Sequence, residues 1–251
     1  MKKILTCCLL LIVCITAGCG GGFSKQTVVP LNNPVPEKGS GSFGSSTQQA
    51  SGFNGIRLET FGDVQLMQSS NEGFKMEGDD NLLQFIETKV ENGILIIRAK
   101  TDQPLPATKP PRFYITLRDL KRIEIPASGI VNAQEPIEFD QLTIDIAGEG
   151  LVNLPQVKGR KVETSITGSG DVTLGGTLEE DFLQLFGSGA YHTSQLITQK
   201  TEINFTGSGT AYVAPKALLK VKITGDGVVQ YFGSPQIEQE IQGAGKLVPA
   251  R

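Results

Sequence analysis

The sequence contains no tryptophan, a single histidine, and no cysteine after residue 19. Without later cysteines no disulfide can staple the body of the chain, so its stability must come from burial and backbone pairing. His192 is the only imidazole and falls on the outward parity of its segment, whereas an enzyme needs a convergent set of acid, base or nucleophile groups. No basic run is longer than Lys2-Lys3. Nucleic-acid binders usually carry a basic patch or stripe, so nucleic acid is not an expected partner. Long helical periods are also missing. What the chain has in quantity is glycine, 30 residues of it, between short apolar segments.

The first twenty residues have a separate character. Lys2 and Lys3 precede an apolar stretch from Ile4 to Ile15, and the small residues Ala17 and Gly18 stand before Cys19. This is the pattern of a secretory signal peptide over residues 1–18. The apolar run, about 12 residues, is shorter than the roughly 20 needed to span a bilayer. Three of the four cysteines, Cys7, Cys8 and Cys14, leave with the signal. Thr16-Ala17-Gly18-Cys19 resembles a bacterial lipobox, with threonine in place of the usual leucine. The resemblance implies lipidation of Cys19 and a membrane anchor. Gly20, where an aspartate would retain the protein at the inner membrane, implies an outer-membrane lipoprotein. Removing Lys2 and Lys3 leaves 21 basic against 26 acidic residues, a formal charge of −5.

Residues 19–52 hold the lipidated cysteine and then Gly20-Gly21-Gly22, Pro30, Pro34, Pro36 and a small-residue run from Gly39 to Ser46. Val28, Val29, Leu31 and Val35 are the only large aliphatics, too few to offset the entropy of ordering, so the expectation is a flexible tether. As a coil it holds the rest roughly 30 Å from the lipid, and about 100 Å when taut.

The remainder, 53–251, repeats. Glycine pairs recur at Gly148/Gly150, Gly168/Gly170, Gly187/Gly189, Gly207/Gly209, Gly225/Gly227 and Gly243/Gly245, with Ala127/Gly129 as a degenerate first copy. Second glycines are spaced 21, 20, 19, 20, 18 and 18 residues apart. Four positions before the second glycine stand Ile125, Ile146, Ile166, Leu185, Phe205, Ile223 and Ile241. Two positions after it stand Val131, Val152, Val172, Tyr191, Ala211, Val229 and Leu247. Side chains alternate faces along a strand, so the glycines share the inward parity of these apolar residues. Each unit is then two short strands at a glycine corner followed by a loop, such as Pro155 to Gly159 or Gly233 to Pro235. One unit cannot bury its own apolar face, but stacked units form a continuous core. The expected fold is an all-β solenoid of about seven coils over 118–251.

Residues 53–117 are less regular. Ile56, Leu58, Thr60, Gly62, Val64 and Leu66 repeat the alternation once, and Glu91-Asn92-Gly93-Ile94 carries the Asn-Gly signal of a tight hairpin. This part reads as an N-terminal β-layer that caps or begins the solenoid, with a loop from Pro104 to Pro111.

The segment TGSGDV at Thr167–Val172, the Gly-Ser-Gly at 187 and 207, and FNGIRLETFGDVQL from Phe53 together resemble the head-GIN-type auto-transporter adhesins, the DUF2807 family. The family is common on lipoproteins of Gram-negative bacteria. The resemblance covers roughly 53–247 and implies a glycine-rich, right-handed β-helix-like fold with an adhesin-type role and no active-site residues to carry over.

Asp63 and Asp171 follow glycine in a pattern that resembles a calcium β-roll, but that motif needs one aspartate per nine-residue repeat. Ile130, Leu151, Ala190, Thr210, Val228 and Lys246 stand where Asp171 does, so no metal column is expected. No glycine cluster opens a helix in a phosphate-cradle pattern, and nothing calls for a cofactor. Three positions after the second glycine the outward residues are Asn132, Asn153, Thr173, His192, Tyr212 and Gln230. Stacking aligns these into a ladder of amides, hydroxyls and rings able to hydrogen-bond and stack on sugars. The reading is a non-catalytic binding, adhesin-like or scaffold module of the cell envelope, directed at carbohydrate or an envelope protein. The rival class is a carbohydrate-active enzyme on a β-helix fold, for which Glu124 and Asp145 at one register are the adjacent acids.

Overall fold

The computed structural model describes residues 35–101 and 103–250. The signal peptide, Cys19 and the first part of the tether lie outside the described residues. Residues 35–251 form a compact unit of their own. The protein is nearly all-β, 66% strand, with no α-helix among the described residues and one short 3-10 turn at Leu83–Phe85.

The repeating unit is plainest in strands β13 (Glu180–Gly187), β14 (Ala190–Gly207) and β15 (Thr210–Gly225). A rung on a first face runs to the first glycine of a pair, the chain turns a corner, and a rung on a second face follows. On the first face β8 (Arg122–Ile125), β10 (Ile137–Ile146), β11 (Leu151–Gly168), β13, β14, β15 and β17 (Gln236–Gln242) stack in parallel, so that Ile146 aligns with Ile166 and Leu185 with Phe205. On the second face β9 (Ile130–Ala133), β11, β12 (Asp171–Thr177), β14, β15, β16 (Val228–Tyr231) and β18 (Lys246–Pro249) do the same. The chain makes about six turns of a β-solenoid.

Two expectations are corrected here. Pro155 to Gly159 is not a loop: β11 continues through it with an irregularity between Leu154 and Val157, because Val157 pairs with both Ile137 and Gly176 to make a short third side. Gly233 to Pro235 does remain a loop. The folded body also starts earlier than residue 53. β1 (Phe43–Gln48) pairs antiparallel with β4 (Gly73–Asp79), and the Gly39 N–H donates to the Pro106 carbonyl at 2.8 Å. Small polar residues in a strand carry little apolar signal, and here a partner strand supplies the ordering. Asp79 holds this segment: its buried carboxylate accepts from the Gly41 N–H at 2.7 Å, and from the Thr108 N–H at 2.7 Å and hydroxyl at 2.9 Å. Those donors hold its carboxyl below the usual range.

The core is the two inward rows. Ile125, Ile146, Ile166, Leu185, Phe205 and Ile223 are at most 2% exposed, and Val131, Val152, Val172, Tyr191, Ala211 and Val229 are fully buried. Each such large aliphatic or aromatic contributes about 1.5–3 kcal/mol. At the corners the coils touch backbone to backbone. A Cβ at Gly209 would collide with the Gly189 carbonyl oxygen, and one at Gly168, whose φ is +126°, would lie 2.9 Å from the Gly148 oxygen. Glycine is therefore required by space at one member of the pair and by both space and φ at the other.

The N-terminal part folds out of chain order. β2 (Gly55–Leu58) and β3 (Asp63–Gln68) form a coil around the Gly62 corner, stacked parallel on β8 and β9. Beneath it, parallel again, lie β6 (Ile94–Ala99) and β7 (Arg112–Leu117), later in sequence but further from the regular coils. β5 (Ile86–Glu91) reaches β6 by the expected hairpin, with Asn92 and Gly93 at φ +51° and +77°. The Thr88 hydroxyl of β5 bonds to Gln48 of β1, and Leu83, Phe85 and Ile86 are buried, which closes this end.

One buried pair stands apart from the apolar rows. The Tyr191 hydroxyl crosses the core and donates to Asp181 Oδ1 at 2.7 Å, while Asp181 Oδ2 and the Thr164 hydroxyl have no partner among the described residues. Burial pushes the Asp181 carboxyl up to about 7, partly opposed by the tyrosine bond.

Two outcomes test this packing. Gly209→Val is expected to destabilise by several kcal/mol, since overpacking alone costs about 1–3 and backbone strain adds to it. Gly73→Ala, with nothing within 4 Å of the added carbon, is expected to leave the thermal midpoint nearly unchanged. For Asp181, the folded state binds the proton more tightly than the unfolded state does. Its stabilising contribution is thus complete below about pH 4 and is lost as pH rises to about 7, a fall on the order of 4 kcal/mol. Asp181→Asn should remove that slope from denaturation curves measured between pH 4 and 8; an unchanged slope would contradict the assignment.

Candidate functional site

The outward rows of the two main faces differ in chemistry. On the first face charged residues are frequent and paired, some within one strand and some across rungs, around a neutral stretch of Ser165, Gln184 and Asn204. Arg122 lies 3.0 Å from Glu124 and 3.3 Å from Asp145, Lys200 lies 3.2 Å from Glu202, Lys220 2.8 Å from Glu238, and Lys222 3.2 Å from Glu240. Lys161 pairs with Glu163 in the same way. Exposed pairs of this kind contribute at most about 1 kcal/mol each.

Glu124 and Asp145 are in register on adjacent rungs, as the sequence anticipates. The Arg122 guanidinium fills the space between them, and Arg57 reaches Glu124 at 3.4 Å. Partial burial raises the Asp145 carboxyl while Arg122 draws it back down. The two acids are members of an ion-pair network.

On the second face the central outward row carries no charge over eight rungs. Asn132 aligns with Asn153, Asn153 with Thr173, Thr173 with His192, His192 with Tyr212, and Tyr212 with Gln230. The structure brings all six sequence-predicted residues together in one continuous ladder. The His192 and Tyr212 rings are stacked, with centroids 5.2 Å apart and planes 10° from parallel. Next to the ladder the outward side chains at Ile130, Leu151 and Val228 are apolar, and Leu151 is 36% exposed.

The ladder extends beyond these six residues. Asn132 aligns with Gln65 of β3, and Gln65 with Tyr114 of β7. A depression of about 490 Å³ opens here, lined by Gln65, Met67, Arg112, Tyr114, Gln134 and Glu135 among others. Met67 is half exposed. The Tyr114 hydroxyl donates to Glu77 at 3.0 Å, and Lys75 bridges to the same carboxylate at 2.6 Å with its ammonium 5.5 Å from the tyrosine ring. Those two partners hold the Glu77 carboxyl below its usual range. The Tyr114 ring is thereby fixed in orientation at the edge of the depression. Gln65 stands three positions after Gly62, the same offset as the rest of the ladder, so its place was readable. Tyr114 has no such marker, because no glycine corner precedes β7.

Asp171 has a structural role: its Oδ1 accepts the Ala190 N–H of the next coil at 3.0 Å. No cluster of three potential metal ligands occurs among the described residues. None of their helices is long and apolar enough to cross a membrane.

A family model described as "Putative auto-transporter adhesin, head GIN domain" matches residues 52–235. No curated protein matches the sequence. Among solved structures, one described as a putative adhesin from Bacteroides fragilis superposes with a TM-score of 0.81 at 24% identity, covering 85% of this chain and 99% of its own. A protein of Parabacteroides distasonis described as a putative lipid binding protein gives 0.71 at 22% identity, with the same coverage. A putative adhesin of Parabacteroides merdae gives 0.66 at 23% identity, over 85% and 98% of the two chains. At these identities the likeness establishes the fold.

Proposed function

This chain belongs to the family described as "Putative auto-transporter adhesin, head GIN domain", and on that footing we propose that it is a non-catalytic, lipid-anchored binding module of the cell envelope that holds a neutral, hydroxyl-rich chain such as a carbohydrate along its second face. The observation that carries this reading is the contrast between the outward rows: on one face ion pairs flank a short neutral stretch at Ser165, Gln184 and Asn204, whereas on the other an uncharged ladder runs unbroken from Tyr114 through Gln65 and Asn132 to Gln230. Amides and hydroxyls supply donors and acceptors, and aromatic faces at Tyr114, His192 and Tyr212 supply stacking. Rungs about 4.8 Å apart repeat these groups along one direction, which suits a ligand that itself repeats. Such an array gives many weak contacts and no convergent acid–base pair, which is a holding surface.

The anchor rests on the lipobox-like Thr16-Ala17-Gly18-Cys19 and on Gly20, read as an outer-membrane lipoprotein. Acylation on more than one chain gives stable membrane attachment. Cys19→Ala is expected to shift the protein out of the membrane fraction of its host; retention of the variant there would refute lipidation. For the ligand, residues 35–251 applied to a glycan array and to envelope polysaccharide should be retained, and the Asn153→Ala/Tyr212→Ala pair should weaken retention at least ten-fold, about 1.4 kcal/mol, with an unchanged thermal midpoint. Equal retention by both proteins would remove the ladder as the site, and product release from the polysaccharide would instead support a carbohydrate-active enzyme.

A further inference from the structure

The two ends of the solenoid are finished differently. At the N-terminal end β1 and β5 close over the core. At the other end β17 is exposed along its whole length. Ile237 and Ile241 continue the inward rows of Leu219 and Ile223, yet they are 37% and 38% exposed because no described residue lies over them. The neighbouring edge, β18, is blunted by Lys246 and Pro249. β17 has no lysine and no proline. Solenoid ends need a polar cap or a partner.

The sequence of β17 reads the same in both directions: Gln236-Ile237-Glu238-Gln239-Glu240-Ile241-Gln242. We propose that this end is a self-association surface, on which β17 pairs antiparallel with β17 of a second copy about a two-fold axis through Gln239. An isologous contact sets one patch against itself, and an antiparallel strand pair centred on its middle residue is the simplest form of it. In that register Ile237 meets Ile241 of the second copy on the inner side, so the two cores run into one another. Gln239 meets its own copy, where a side-chain amide can both donate and accept. Gln236 meets Gln242. A strand lacking the palindrome would set unlike side chains against each other and lose half of these matches.

The outward residues fit as well. Glu238 faces Glu240 of the second copy, a repulsive pairing for bare carboxylates. Each already carries a lysine from the preceding rung, Lys220 at 2.8 Å and Lys222 at 3.2 Å, so the joint closes as alternating charges. The edge N–H and C=O groups of β17 gain partners, and four isoleucine side chains leave water.

Sedimentation velocity on residues 35–251, over about 1–100 µM, tests this. The unaltered protein should pass from monomer to dimer. Gln239→Lys and Gln239→Glu each set like charges on the axis and should weaken the dimer at least ten-fold, and an equimolar mixture of the two should restore it. Gln239 is exposed, so at concentrations low enough for each protein to be monomeric both variants should keep the parent's thermal midpoint. A protein that stays monomeric throughout would overturn the proposal. So would a dimer indifferent to either substitution, which places the contact elsewhere, and so would a mixture no tighter than its components, which rules out this register.

Discussion

The rest of the structure depends on how closely one coil lies on the next at the glycine corners. There the backbone of each coil sits against the carbonyl oxygens of the coil below, with no room for a side-chain carbon at Gly187, Gly207 or Gly209. A contact that tight permits one relative placement of neighbouring coils. The inward residues then fall into columns, Ile166 on Ile146 and Val172 on Val152, and the outward residues fall into columns with them. The uncharged ladder on the second face is thus a by-product of corner packing, since the step that stacks valine on valine also stacks Asn153 on Asn132.

This explains which parts of the molecule could be read from sequence. Wherever a corner is marked by a glycine pair, counting offsets recovers both the buried rows and the ladder. The same count from Gly62 reaches Gln65, and extending the offset that far would have continued the ladder by one rung. Where the chain departs from the corner rule, legibility ends. β6 and β7 lie beneath an earlier coil, and no local feature of Ile94–Ala99 or Arg112–Leu117 tells which side of β2 and β3 they occupy. Tyr114, at the edge of the depression, was hidden for that reason. β1 resembles a tether in sequence because its small polar side chains bury little; its order comes from β4 and from Asp79, 38 residues beyond Gly41.

Asp181 is a different case. Within Glu179-Glu180-Asp181 it reads as one of a surface acidic group, yet it shares the parity of Leu183 and Leu185, which point inward. Parity alone would have placed it in the core, and composition argued the other way. The fold tolerates it because Tyr191, inward from the second face, spans to its carboxyl with Ala211 as a small neighbour in the same row. A carboxyl raised to about 7 stays protonated in the folded state while the unfolded chain ionises near 4, so the buried pair favours the folded state most below about pH 4 and progressively less toward pH 7.

A solenoid is one-dimensional in its energetics: each coil is stabilised by the coils on either side, so the first and last have half the support of the rest. The N-terminal end answers with antiparallel pairs, β1 on β4, β4 on β7 and β5 on β6, which break the parallel repeat. The far end makes no such departure; β17 and β18 keep the parallel register and the inward isoleucines of the repeat. In stacking terms that rung is still in the middle of the solenoid. Its apolar residues are spaced for a neighbour, and its outward acids are neutralised as they are in the interior coils. The physical question posed by that end is what supplies the missing half of its contacts, and a strand whose sequence is its own mirror can supply it to itself.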